Sequence, residues 1–262
     1  QSGETYDTVM SLRHAKERGA KTAAVVNVVG SSIARMVDQV ILQGSGPEVC
    51  VVSTKAALVQ MLLLTRLALE IGVRRKVIKP AKRREYEAAL AALPGEIETF
   101  LNEQSGVIRA AAYKHAHIQN WLFLGRGIYY PIALEAALKM KEVTYIHAEG
   151  MPGGFLKHGT LSLVDDKLYT LVVVPPPSCG ELHGMTMSSV EEVKARGGFV
   201  FGFTYDDKDD IFSERVVLAP THELTAPFLP LVGTQLLAYF TATALKRNVD
   251  KPRSLAKSVT VA

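Results

Sequence analysis

The chain has 262 residues, a net charge of +4, and 48% hydrophobic against 21% charged residues. That is enough to bury one large core or two medium ones, with the profile of a soluble globular protein. The basic run from Arg74 to Arg84 has no aromatic residue interleaved before Tyr86, so it reads as a solvated helix face, and nucleic acid is excluded as a partner.

In chain order, Thr5 to Arg18 has a helical pattern closed by Gly19, a residue suited to the turn past a helix end. Residues 21–28 form a near-continuous apolar run, as in a strand of a parallel sheet buried on both faces. Gln39 to Leu42 is a second short strand, and Ser53 to Gly72 a long helix. Its apolar run, Ala56 to Ile71, is broken by Lys55, Gln60 and Arg66 and reads as too short to span a bilayer, which excludes a membrane partner. Helical segments follow from Ala81 to Ala116, with an interruption expected at Pro94-Gly95. The strand 121–124 ends in Gly125-Arg126-Gly127, and a helix runs from about Tyr130 to Ile146. Strands 168–174, 198–204 and 215–218 then alternate with helices 181–196 and 226–246. Such alternation predicts an α/β fold with parallel sheets flanked by helices. Cys50 and Cys179 have no metal-ligand or CxxC spacing, so reduced thiols are expected, with no metal and no cofactor. With no signal peptide, the compartment expected is the cytoplasm.

Two parts of the chain resemble each other. Ala15-Lys16-Glu17-Arg18-Gly19 before one strand matches Val193-Lys194-Ala195-Arg196-Gly197 before another. Val40-Ile41-Leu42 matches Val216-Val217-Leu218, and Gln60 matches Gln235. The period is about 177 residues, a domain length rather than a solenoid repeat. In that register the second copy opens with a strand, helix and strand that the first copy lacks, a stretch of roughly 55 residues. The expected organisation is a first domain over 1–80, truncated at its front, a helical connector over 81–117, a second domain over 118–250 and a tail over 251–262.

In open parallel sheets, ligands sit beyond the carboxyl ends of strands, where helices begin. Gln1-Ser2-Gly3-Glu4-Thr5 and Val51-Val52-Ser53-Thr54-Lys55 both occupy such points. Hydroxyls and free N–H groups at a helix start cradle phosphate, although each of these residues is also an ordinary N-cap type. With neither GxxxxGK[ST] nor GxGxxG present, a small phosphorylated ligand fits better than a nucleotide. Helix 130–146 carries Glu135, Lys139 and Glu142 on one face of an otherwise apolar helix. A carboxylate and an ammonium there are candidates for a base and its electrostatic partner, weighed against a surface ion pair. The glycine-rich stretch 147–160, with His147 and His158, reads as a functional loop. In the tail, Lys257 lies between small and apolar neighbours, where lost hydration disfavours the charged amine and leaves a nucleophile for a carbonyl.

Taken together, the motifs QSGET with TYDT, VSTKA, LGRG followed by YPIALEAALKMKEVTYIHAE, LKHG and the terminal PRSLAKSVTV closely resemble the isomerase half of the glutamine–fructose-6-phosphate aminotransferases. The resemblance spans essentially the whole chain. It implies two sugar isomerase (SIS) domains, each a flavodoxin-like parallel sheet, and a cytoplasmic homodimer. It implies that Lys257 forms an imine with open-chain fructose 6-phosphate and that Glu142 moves a proton between C1 and C2, assisted by Lys139. His158 would open the sugar ring from the neighbouring subunit. Gln1, Ser2, Thr5, Val51 and Ser53 would hold the phosphate and hydroxyls of fructose 6-phosphate or the product glucosamine 6-phosphate. The ammonia would come from a glutaminase domain in cis or in trans. The chain departs from the family pattern at Phe155, where GELKHGP has a carboxylate, and at Thr160. It also starts after the serine and the CGTS loop that would precede Gln1. A related SIS deaminase or isomerase and a non-catalytic sugar-phosphate sensor remain the other readings. Neither calls for Lys257 together with Glu142.

Overall fold

A computed structural model of the chain describes residues 1–206 and 210–257. It divides into two compact units, one of residues Gln1–Lys79 with the described tail from Asp250 onward, the other of Pro80–Val249.

The first unit contains α1 (Tyr6–Glu17), β1 (Ala23–Val26), α2 (Ser32–Met36), β2 (Gln39–Leu42) and α3 (Lys55–Arg74). Strands β1 and β2 pair in parallel, with Val26 opposite Leu42. The burial expected for the strand at 21–28 is only partly met: of β1, Val26 alone is buried, and Val28, Val29, Val40 and Leu42 are exposed. Only β2 is hydrogen-bonded to β1 among the described residues, so the pair is not enclosed as a wider sheet would be.

Helix α3 also differs from expectation. Its 20 residues make it long and apolar enough to cross a membrane on length and composition alone. Lys55 starts the helix and Arg66 lies within it, so neither shortens it. In the second unit the corresponding position, after the last pair of parallel strands, is taken by a helix buried along most of its length, α7 (Phe228–Ala244).

The second unit begins with α4 (Pro80–His115), which runs for 36 residues straight through Pro94 and Gly95. The interruption expected there does not occur. A proline inside a helix forfeits one hydrogen bond and costs roughly 3 kcal/mol. The buried row Leu93, Phe100, Ile108, Ala111 and Ala112 of α4, which packs on α7, offsets that cost.

Next come β3 (Asn120–Gly125), α5 (Tyr130–Thr144), β4 (His147–Pro152), two 3₁₀ turns (Gly153–His158 and Thr160–Leu163), β5 (Leu168–Val173), α6 (Glu181–Lys194), β6 (Phe199–Thr204), β7 (Glu214–Val217) and α7. The strands form one parallel sheet in the order β4-β3-β5-β6-β7, which is the flavodoxin order. Residues 147–152, expected to belong to a loop, are the edge strand β4. There the missing side chain of Gly150 lets β4 press on α5, since a Cβ would sit 2.8 Å from the Leu134 Cα. The core is apolar and aromatic, with Phe123, Phe201, Phe203 and Tyr129 fully buried.

Candidate active site

In the first unit the start of α1 is built by the QSGET loop. The Glu4 N–H donates to Ser2 Oγ at 3.2 Å, and the Glu4 carboxylate accepts from the Ser32 N–H at 2.8 Å. The Ser32 hydrogen bonds hold the Glu4 carboxyl below its ordinary value. Gly3 adopts a φ of 68° and packs so closely on Ser31 that a Cβ would lie 2.1 Å from its hydroxyl oxygen. Thr5 caps α1 without a side-chain hydrogen bond, and the Gln1 Oε1 is buried with no protein partner. The loop therefore places the Ser2 hydroxyl at the N-terminus of α1, an arrangement suited to an anion, while the Gln1 amide oxygen is buried behind it.

The second loop is held by a residue that no motif marks, Glu48. Its carboxylate, on a residue 8% exposed, accepts from the Thr54 N–H at 2.6 Å, the Thr54 hydroxyl at 3.0 Å and the Ala56 N–H at 3.1 Å. The donors at the start of α3 are thus already engaged by a carboxylate of the chain itself. An acidic residue a few positions before a Ser-Thr-Lys helix start is the signal that would have found it. Ser53 sits beside this cap with a φ of 58°, a left-handed conformation that non-glycine residues rarely adopt outside sites.

The tail is fastened to the same loop. The Val51 N–H donates to the Asp250 carbonyl at 3.3 Å, and the Lys257 ammonium donates to the carbonyl oxygens of Glu48 and Cys50, the latter at 2.5 Å. These bonds place the tail lysine directly beside the second loop. The apolar enclosure expected around Lys257 is absent, because the residue is exposed and its Nζ is hydrogen-bonded. Burial pushes the Cys50 thiol up, against the opposing pull of a hydrogen bond from Val52.

In the second unit the three charged residues of α5 meet. Lys139 is 4% exposed, and its Nζ stands 2.7 Å from Glu142 Oε2 and 3.4 Å from Glu135 Oε1. A buried ammonium set between two carboxylates differs from the exposed surface pair that the spacing alone allows. Ile132, Ala136 and Met140 bury the rest of that helix. His158 ends the 3₁₀ turn Gly153–His158, exposed, with its ring edge-on to Phe155 at 5.9 Å. Among the described residues, no group of three or more His, Cys, Asp or Glu side chains is arranged to hold a metal ion.

The parallel sheet of the second unit, in the flavodoxin order with polar loops at the helix starts, defines a doubly wound α/β domain, and the chain belongs to the SIS domain family, whose model matches residues 1–70 and 116–244. It is 45% identical over 262 residues to a glutamine–fructose-6-phosphate aminotransferase (isomerizing) of Methanococcus maripaludis, covering all of this chain and 42% of that protein. The corresponding protein of Methanocaldococcus jannaschii is 42% identical over 261 residues, and the chain spans 23% of it. Less than half of these curated relatives is therefore represented. Among solved structures, the C-terminal domain of glucosamine-fructose-6-phosphate aminotransferase from Francisella tularensis superposes with a TM-score of 0.90 at 35% identity, over 96% of this chain and 72% of that one.

Proposed function

We propose that the chain is the sugar-converting part of a glutamine–fructose-6-phosphate aminotransferase, turning fructose 6-phosphate and ammonia into glucosamine 6-phosphate and water. Ser2, Thr5 and Gln1 hold the phosphate and nearby hydroxyls, with Val51 and Ser53 lining the same loops. His158, supplied by the partner subunit of a homodimer, protonates the ring oxygen so that the furanose opens to the ketone. The Lys257 amine leaves its two carbonyls, attacks C2 and expels water to give an imine. Ammonia then displaces the lysine at C2. Glu142 takes a proton from C1 and returns it to C2 while the O1 hydroxyl proton passes to the nitrogen, which leaves an amine at C2 and an aldehyde at C1. Lys139 steadies the Glu142 carboxylate through this exchange.

The observation that carries this reading is the Lys139–Glu142 pair, a cation and a candidate base at 2.7 Å on an otherwise apolar helix. Ammonia comes from a glutaminase domain, in cis or in trans, and the enzyme works in the cytoplasm. The exposed Val28, Val40 and Leu42 around the two-stranded first sheet support a longer first domain than the residues present here.

The test is reductive trapping. Borohydride added with fructose 6-phosphate to the full-length chain should fix the sugar on Lys257, located by peptide mass mapping. A related isomerase or a sugar-phosphate sensor would bind the sugar and yield no adduct.

A further inference from the structure

The segment that carries His158 is fastened to its own unit at three points. Its first residue, Gly153, follows β4 directly. Arg126, the residue after β3, reaches over to it: Nη2 donates to Ser189 Oγ at 3.0 Å, and the one Ser189 hydroxyl proton is shared between the Gly153 carbonyl at 3.4 Å and the Met185 carbonyl of α6 at 3.3 Å. Ser189 is 1% exposed, so this link is made away from water. The Arg126 side chain packs closely against the two glycines. A Cβ on Gly153 would stand 3.1 Å from Arg126 Nε, and one on Gly154 would stand 3.3 Å from Nη1. In the middle, Leu156 is fully buried against Val190 and Val193 of α6. At the far end, Lys157 pairs with Glu192 of α6 at 2.9 Å.

These fastenings differ in what they can do. The lysine is 69% exposed in its side chain, so its ion pair contributes little. Leu156 anchors depth without fixing rotation or slip along the helix. The Arg126–Ser189–Gly153 relay fixes the height at which the turn leaves the sheet. His158 itself has an exposed ring whose neighbour is the exposed Phe155, so its position is inherited from the turn beneath it.

We propose that Arg126 is a positioning residue for His158, acting through Ser189 and Gly153 to set where the imidazole stands. This rests on the reading of His158 as the ring-opening group. An imidazole displaced by about 1 Å from its working position loses on the order of 100-fold in rate. The step affected is ring opening alone, because Arg126 and Ser189 lie on elements that carry neither Lys257 nor Glu142.

That restriction supplies the test. Fructose 6-phosphate closes its ring through the oxygen on C5, so a 5-deoxy analogue stays an open ketone and needs no ring opening. Arg126→Ala and Ser189→Ala, made in the full-length chain, should lower kcat/KM for fructose 6-phosphate by about tenfold or more while staying within about twofold of wild type on the analogue. Arg126→Lys should recover little, since a single ammonium does not reproduce the flat fork. Adding Arg126→Ala to His158→Ala should cost nothing further. Equal losses on both substrates, or no loss on either, would overturn the proposal in favour of a purely structural arginine. His158→Ala keeps the two readings apart: if it fails to discriminate between the substrates, the ring-opening role falls. If it discriminates and the arginine and serine variants do not, only the positioning role falls.

Discussion

The Nζ of Lys139 stands 2.7 Å from Glu142 Oε2 one helical turn away, and the lysine is buried while its partner keeps 21% of its side chain open. On the proposed function, the exposed remainder of Glu142 is the part that the sugar would reach. Glu142→Gln keeps the shape and removes the base. The variant should still bind fructose 6-phosphate and still be trapped at Lys257 by borohydride, with turnover reduced by about 100- to 10,000-fold. Loss of trapping together with turnover would mean that the carboxylate serves binding and not proton transfer.

Removing the cation tests the other half of the pair. Lys139→Met leaves Glu135 and Glu142 facing each other without the charge that separates them. Both carboxylates are partly solvated, so the destabilisation should be moderate, about 1–3 kcal/mol, read from the urea midpoint. An unchanged midpoint would show that the pair is not structural.

Acid sensitivity should centre on the junction of α4 with β7. Burial pushes the Glu214 carboxyl up, but the hydrogen bond from Lys114 and the His115 imidazole 3.0 Å away more than reverse this, and the group is held below its ordinary value. Its stabilising effect is therefore complete above the unfolded carboxylate value and disappears as pH falls through the lower folded value. The melting temperature of the wild type should exceed that of Glu214→Gln at pH 7, with the gap closing as pH falls below about 4.5. A gap that persists unchanged at pH 3 would contradict the assignment.

Gly150→Ala offers a check on the fold itself. The added methyl would meet the Leu134 Cα at 2.8 Å and the Ala133 carbonyl oxygen at 3.0 Å, both backbone atoms that cannot rotate away. Thermal unfolding should show a loss of about 1–3 kcal/mol as β4 and α5 are forced apart. A neutral outcome would place the strand farther from the helix.

Strands with unbroken apolar runs were legible from the chain alone: β2, β3, β5 and β6 lie where Val, Ile, Leu and Phe cluster. The strand β4 was not, because His147, Glu149 and Gly150 interrupt the apolar pattern and an edge strand needs only one covered face. The continuity of α4 was hidden for the opposite reason. Pro94 sends a strong local signal, and packing against a helix more than a hundred positions further on overrides it. For the candidate site, motif and spacing were enough to locate each residue on its helix start, turn or tail. What each side chain touches was beyond them. The carbonyls that hold Lys257 belong to a loop 207 and 209 positions earlier, and the Glu48 cap that shapes that loop is marked only by an acidic residue shortly before a Ser-Thr-Lys helix start.

The fastening of Lys257 to that loop bears on chemistry in the absence of substrate. A free primary amine on a solvent-exposed tail would condense with any small aldehyde or reducing sugar that diffused past. Here the nitrogen is moored to two peptide oxygens, so unspecific adducts compete with a bond network already in place. On the proposed reading of Lys257 as the nucleophile, selectivity then begins before the sugar is recognised, with the loop deciding when the amine is released.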